Sequence, residues 1–442
     1  MVSTTKLHKL AGLSAGLVLL LLGVTGFFLD HDKWSFLYTT TFTNLPQASH
    51  EIDNGLYDAY WVDAKNSKHL LVGGKRGLFE SFNKGESFSR VSPLQILALR
   101  EDENNIFLAT SDGIYTLKNS NLSPFGLQGK YITSLALSPE SVVAIVEKHT
   151  LVKLSKTSHE VLSSTVVNIE KSELQESIKL SRFVRDLHYG RGLFDGDISL
   201  LINDYGAIVL SFLALSGYII WWIIYSKSAP KLARKLIRLH ANFLVILSLI
   251  PLVILAITGI FLDHATGLGK FMNSVLIHKS ILPPVYTSLK YDIWSVDYDG
   301  QTYRVGNRYG IYRSNDLQSW KLENRGLAYR MVRKNEVLYI SGMGAPNRVY
   351  KEQEFQMLPN SPHMFKDVIK RNGETLFFSS HKSDFALPQL PDTTLYALLL
   401  SIHDGSFFSS WWIWVNDYAS VALLVLGFTG TLRWSKRRRR AR

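Results

Sequence analysis

The chain has 442 residues, a net charge of +12 and no cysteine. Without thiols it can form no disulfide, iron–sulfur cluster, thiolate zinc site or thioether-linked c-type haem, so imidazole is the ligand left for any redox group. The hydrophobic content of 46% is gathered into a few long runs between polar stretches, which points to a membrane protein with more than one domain.

The charge-free runs are Leu10–Leu29, Tyr205–Tyr225 and Ala241–Leu262, each near the ~20 residues that cross a bilayer. A fourth, Tyr418–Leu432, is shorter, and the aromatic stretch Phe407–Trp414 extends it with Asp417 inside. Four transmembrane helices are expected. The first run resembles a secretory signal, but it lacks a small-x-small cleavage site and is echoed by Ala241–Leu262, which favours a retained helix. Lys6 and Lys9, then Lys227, Lys231, Arg234, Lys235 and Arg238, and finally Lys436 to Arg440 with Arg442 all flank one side. That bias places both termini and the short loop in the cytoplasm. Lipid headgroups are the nearer anion for the terminal basic run, so no nucleic-acid partner is expected.

The expected division is 1–31 for the first helix, 32–186 for the first half of an outer β-rich domain, and 187–226 for a lead-in segment and the second helix. A cytoplasmic loop at 227–238 precedes the third helix at 239–264 and the second half of the β-rich domain at 265–400. A lead-in segment and the fourth helix occupy 401–434, and a basic tail occupies 435–442.

Both long loops read as strands bounded by turn residues: His69–Gly73, Asn105–Ala109, Gly113–Leu117, Tyr131–Leu137 and Val142–Val146 in the first, Tyr303–Val305, Gly310–Tyr312, Val337–Ser341 and Thr375–Ser379 in the second. Gly77–Phe88 is echoed by Gly310–Trp320, and Ser81–Phe88 resembles an Asp-box turn with Asn83 and Phe88 in place of Asp and Trp. The turn is read as structural. Strand groups recur at about the blade period of propellers, giving about three units per loop. Two arrangements stay open: one six-bladed ring shared by both loops, or two smaller β domains.

The chain also repeats itself. Thr25-Gly26-Phe27-Phe28-Leu29-Asp30-His31 closes one apolar run and Thr258-Gly259-Ile260-Phe261-Leu262-Asp263-His264 another. Asn203-Asp204-Tyr205 and Asn416-Asp417-Tyr418 each open a run leading to Gly217 and Trp221, or to Gly430 and Trp434. His8 and His240 recur at the start of each half, and His188 and His403 recur upstream of each second run. A lone histidine at a helix end usually sits in the headgroup zone. Matched pairs in duplicated halves are instead what a six-coordinate b-type haem requires across a bundle. No carboxylate or thiolate lies near His8 or His240 to complete a zinc or copper shell.

On the outer side His188 and His403 are favoured, because glycine-containing bends fold each back toward the bundle, and His31 with His264 is the competing pair. His8 to His31 spans about 34 Å of helix, so opposite faces need separate haems. Lys9, Lys235 and Arg238 are candidates for propionate pairing. Gly12, Ala15, Gly16 and Gly23 allow close approach of a flat group or of a helix. Asp204 and Asp417 read as interfacial caps, partners of an opposing histidine, or proton relays.

Leu7-His8-Lys9-Leu10-Ala11-Gly12-Leu13 leading to Thr25-Gly26, and Leu187-His188-Tyr189-Gly190 leading to Gly217 and Trp221-Trp222, resemble the PepSY-associated transmembrane family. Arg238-Leu239-His240 to Thr258-Gly259, and Ile402-His403-Asp404-Gly405 to Thr429-Gly430 and Trp434, repeat the pattern. The family includes iron-regulated inner-membrane proteins and ferrisiderophore reductases. The resemblance implies a four-helix protein of the bacterial inner membrane with periplasmic loops, binding haem b, two groups being expected. His8, His188, His240 and His403 match its recurrent histidines. Neither loop carries a recognisable PepSY domain, and blade-like repeats depart from the family pattern.

The expected function is a dihaem oxidoreductase passing electrons to a periplasmic ferric chelate or protein acceptor. The chain has no flavin or nicotinamide motif after a strand, so a cytoplasmic flavoprotein or a quinol must be the donor. The alternative is a haemless, membrane-anchored, propeller-like binding or sensor protein. A transporter fits poorly, because the helix centres lack ionisable residues.

Overall fold

The computed structural model describes residues 3–102, 105–174, 177–371, 373–380 and 384–441. Arg442, counted above in the basic tail, lies outside them. Among the described residues four helices are long and apolar enough to cross a membrane: Thr4–Leu29, Ile198–Ser226, Phe243–Asp263 and Ser410–Arg439. The chain is thus a multi-pass helical membrane protein carrying β-rich insertions. The third helix is broken at Ser248, whose hydroxyl turns back to the Val245 carbonyl. The aromatic lead-in to the fourth is not continuous helix; it bends at Gly405 (φ +86°) and resumes as a short 3-10 turn, Ser410–Trp412.

The first helix packs on the second and fourth, and the third also packs on the second and fourth, giving a closed four-helix square. Small residues set the spacing. Ala11, Ala15, Ala256, Ala419 and Ala422 share the core with Leu19, Leu210, Leu252 and Leu423. A side chain at Gly23 would strike Ser211 Oγ at 2.7 Å, and one at Gly16 would strike the Tyr218 ring at 2.9 Å. Close approach is what such residues supply in a bilayer, where lipid tails compete with any apolar side chain.

The two loops join into one ring, each supplying three consecutive units. The first supplies four-stranded antiparallel sheets at 57–92, 96–126 and 132–166. The second supplies sheets at 295–325 and 330–357, and the strand pair Asp367–Arg371 with Glu374–Phe378. The innermost strands contact in cyclic order, and Tyr57–Val62 meets Asp367–Arg371 to close the circle. Tyr57, Tyr60, Val72, Phe79, Ile369 and Phe378 fill that closing contact. Of the two arrangements left open, the shared six-unit ring is the one observed.

Two short ladders stitch the ends of the loops together: Thr41–Phe42 pairs with Thr393–Thr394, and Ser177–Lys179 pairs with Leu276–His278. The Asp-box-like turns are built alike. Ser81 Oγ donates to Asn83 Oδ1 (2.8 Å) and Ser314 Oγ to Asp316 Oδ1 (2.9 Å). In both turns the residue after the Asn or Asp is left-handed without being glycine, Lys84 (φ +62°) and Leu317 (φ +64°); the first turn then adds Gly85, which the second lacks.

Candidate haem-binding site

Each of the four favoured histidines ends or begins a helix that lies against the bundle. His8 sits in the first turns of Thr4–Leu29. His240 is not on the third membrane helix but is the last residue of the connecting helix Pro230–His240, because Asn242 caps a new helix at Phe243. His188 ends the amphipathic helix Leu180–His188, and His403 lies in the last turn of Leu395–Asp404.

The structure brings them together in two facing pairs. The ring centroids of His8 and His240 are 6.5 Å apart and inclined at 83°, and those of His188 and His403 are 6.3 Å apart at 59°. A metal bound by an imidazole nitrogen sits about 2 Å from it, and the nitrogen about 1.1 Å from the ring centre, so two imidazoles clasping one metal need roughly 6.2 Å between centroids. Both pairs have that spacing.

Four hydroxyls fix the orientation of the rings. Nδ1–H of His8 donates to Thr429 Oγ1 (2.8 Å), that of His403 to Thr25 Oγ1 (2.8 Å), that of His188 to Thr258 Oγ1 (3.0 Å) and that of His240 to Ser216 Oγ (2.8 Å). Each hydroxyl spends its own hydrogen on a carbonyl one turn back, namely Val425, Leu21, Ile254 and Leu213. It can therefore only accept from the imidazole. That arrangement puts the proton on Nδ1 and leaves the Nε2 lone pair free, the tautomer a metal needs.

The residue after each hydroxyl is glycine. A Cβ at Gly26 would lie 3.3 Å from His403 Cε1, at Gly259 3.6 Å from His188 Cε1, at Gly430 3.7 Å from His8 Cε1 and at Gly217 3.8 Å from His240 Cε1. Each hydroxyl–glycine step thus forms a seat for one ring. Burial, and then the facing His403, lowers His188 to about 3, and burial lowers His403 to about 4, so both outer rings stay neutral at pH 7.

Around the inner pair lies a cavity of about 330 Å³, with Gly12, Gly16, Leu213, Trp221 and Leu426 in its walls. Such a volume suits a small-molecule group. Lys9, Arg433 and Arg437 stand at its rim, while Lys235 and Arg238 are not among the lining residues. Of the three cations expected there only Lys9 lines the cavity, and the fourth helix adds Arg433 and Arg437.

His31 and His264 do not face each other. His31 Nδ1 bonds the Phe27 carbonyl (2.8 Å), its Nε2 lies 3.6 Å from Asp204 Oδ2, and its ring stacks on Trp34 at 4.0 Å. His264 Nε2 lies 2.7 Å from Asp417 Oδ2. Of the three roles open to the aspartates, pairing with a histidine of the preceding helix is the one seen. The neighbouring asparagines hold the outer pair. Asn203 Nδ2 donates to the His188 carbonyl (2.9 Å) and Asn416 Nδ2 to the His403 carbonyl (3.0 Å).

Sequence reasoning singled out the histidines; it saw Thr25, Thr258, Thr429, Asn203 and Asn416 in the repeats but gave them no role, and it missed Ser216. The signal was the fourfold dipeptide Thr25-Gly26, Ser216-Gly217, Thr258-Gly259 and Thr429-Gly430. Among the described residues no three His, Asp or Glu side chains cluster to hold a bare metal ion. Two imidazoles across an apolar gap fit a porphyrin-borne metal better than a free one.

No curated protein matches the chain. Among solved structures, the computationally designed Ika8 protein is 8% identical, covering 74% of this chain and 68% of its own, with a TM-score of 0.32. The Neurospora crassa Pan2 WD40 domain is 6% identical, covering 72% and 70%, with a TM-score of 0.33. Scores this low carry no argument about function. The family model described as the PepSY-associated TM region matches residues 5–437, and the chain belongs to that family.

Proposed function

We propose that this protein binds two b-type haems, one clasped by His8 and His240 and the other by His188 and His403, and that it passes electrons across a bacterial inner membrane. The observation that carries this reading is the pair of imidazole clasps, each with its Nδ1 proton committed to a hydroxyl and its Nε2 free. Bound haem would supply reversible one-electron chemistry of iron. The protein's part is to fix the ligand tautomers, exclude water with an apolar shell and neutralise the inner carboxylates through Lys9, Arg433 and Arg437. About 26 Å of helix separates His8 from Thr25, the seat of the outer clasp, so the two clasps cannot share one group.

The basic face of the bundle is read as cytoplasmic and the ring as periplasmic. Electrons enter from a flavoprotein or a quinol and leave to an acceptor beneath the ring, a ferric chelate or a partner protein. His31 with Asp204 and His264 with Asp417 are assigned to ordering the outer end of the bundle rather than to ligation.

A second reading, an anchored ring that binds a ligand or partner without haem, draws on a cavity of about 940 Å³ in the ring, lined by Trp61, Asp63, Arg100, Asp297 and Arg333 among others. Purification in mild detergent separates the two. A reduced-minus-oxidised difference spectrum with b-type bands is expected, and His8→Ala and His403→Ala should each remove about half of the signal. A colourless protein, or two variants that keep the full signal, sinks the dihaem reading.

A further inference from the structure

Between the ring and the bundle lies a seam with an excess of positive charge. Asp32 and Lys33 follow the first membrane helix, Arg191 follows the His188 helix, and Lys75 and Lys148 sit on strand-to-strand turns of the first and third blades. Burial alone would raise Asp32, yet Arg191, Lys75, Lys148 and Lys33 together hold it down to about 2, so all four cations surround one carboxylate. Lys33 has its own partner, Glu147, at 2.8 Å. Lys75 donates to the Asp32 carbonyl, Gln95 Oε1 and Tyr131 Oη at 3.1–3.3 Å. Arg191 reaches Asp32 at 3.5 Å.

The Lys148 carbonyl accepts from the Ile293 N–H at 2.9 Å, but its side-chain ammonium has no hydrogen bond or ion pair among the described residues. Its ammonium lies over the Trp294 ring at 4.5 Å, and the Arg191 guanidinium is 5.9 Å from the same ring. Burial, and then the Arg191 charge, brings Lys148 down to about 7, with Asp32 opposing the shift. Two cations are thus gathered on one indole; Asp32 reaches Arg191 at 3.5 Å and Asp292 accepts from the indole Nε1–H at 2.9 Å, but neither forms an ion pair with Lys148 among the described residues. Desolvated like charges are costly unless something negative completes them. The seam is still open to solvent: the side chains of Arg191 and Asp32 are 35% and 40% exposed. It also adjoins the outer clasp, since Tyr189 and Arg191 directly follow His188.

We propose that this seam binds a small polyanion from the aqueous side, its negative groups completing Arg191 and Lys148 above Trp294, with Lys75 and Lys33 at the margin. Carboxylate oxygens are the chemistry that suits a guanidinium and an ammonium set side by side. They have two possible sources, a free polycarboxylate or the propionates of the outer haem, and we assign the site to the free anion. That this anion is the electron acceptor rests on the reading above; the binding does not.

Calorimetry on the full-length protein in neutral-lipid nanodiscs tests it, with citrate and ferric citrate as probes at low salt. Saturable binding is expected, weakened at least about tenfold by Lys148→Gln and by Arg191→Gln, and by a similar factor at high salt. Absorbance spectra of the same samples should show the outer signal unchanged in both variants. The proposal is overturned if the wild type binds neither probe, if the variants bind as well as it does, or if they lose the outer signal, which would give the cations to the propionates. Protein that lacks haem yet binds citrate would sink the dihaem reading and leave this site standing.

Discussion

At the scale of single residues, the decisive feature is a proton held in place. In an apolar helix a serine or threonine hydroxyl ordinarily returns its hydrogen to its own backbone, as Thr25 does to Leu21. That leaves an acceptor, and His403 Nδ1–H uses it at 2.8 Å. Thr25→Val keeps the volume but strands a buried N–H, at a cost of about 1–3 kcal/mol. Outer haem affinity should fall about 10–100-fold, with a shifted midpoint potential for that haem and none for the inner one. Redox titration that finds both potentials unchanged would remove the hydroxyl from the account. The histidines themselves were readable because duplication marks them. The hydroxyls were not, because a lone Ser or Thr in a membrane helix carries no local sign of a partner across the bundle.

At the scale of elements, the outer histidines are aimed by short helices that the ring holds. Asp186, two residues before His188, receives Arg308 Nη1 at 2.6 Å, while Arg308 also clasps Asp292 at 2.7 Å. On the other side Thr394 caps the His403 helix through the Ala397 N–H and donates to Asp53, which Arg76 bonds at 2.5 Å. Both outer histidines therefore hang from buried arginines of the ring. Arg308→Gln takes the ion-pair partner from buried Asp292 and leaves Asp186 to Arg182 and Tyr286 alone, and should cost about 3–5 kcal/mol. Thermal melts should show that loss, and the spectrum should lose the outer signal before the inner one. An outer signal that persists through the destabilisation would mean the helix is positioned by the membrane instead.

Helix lengths were legible from hydrophobic runs of bilayer length. The separate helix that carries His240 was not, since Ala241-Asn242 hides a cap inside an otherwise continuous apolar pattern.

At the scale of the whole molecule, both histidine pairs, their hydroxyl seats and both short ladders cross between halves. His8 meets His240, His188 meets His403, and both edge ladders join one loop to the other. Residues 1–227 expressed alone should show little b-type absorbance, and co-expression with 228–442 should restore it. Full absorbance from the first fragment alone would disprove the shared clasps. Blade-like units were countable in each loop from turn signals and strand spacing. Their closure into one ring was not, because it depends on contacts such as Tyr57 with Ile369 and Phe378 that no local pattern encodes.

The same crossing imposes an order on biogenesis. The ribosome delivers His8 and His188 early, but the seat for His8 comes from Thr429 and the partner of His188 from position 403. The outer clasp has no second imidazole before residue 403, and the inner pair lacks the seat of His8 until residue 429 has been translated and threaded into the bilayer. On the dihaem proposal, porphyrin capture would then come late in maturation, and a truncated product would carry unfilled imidazoles.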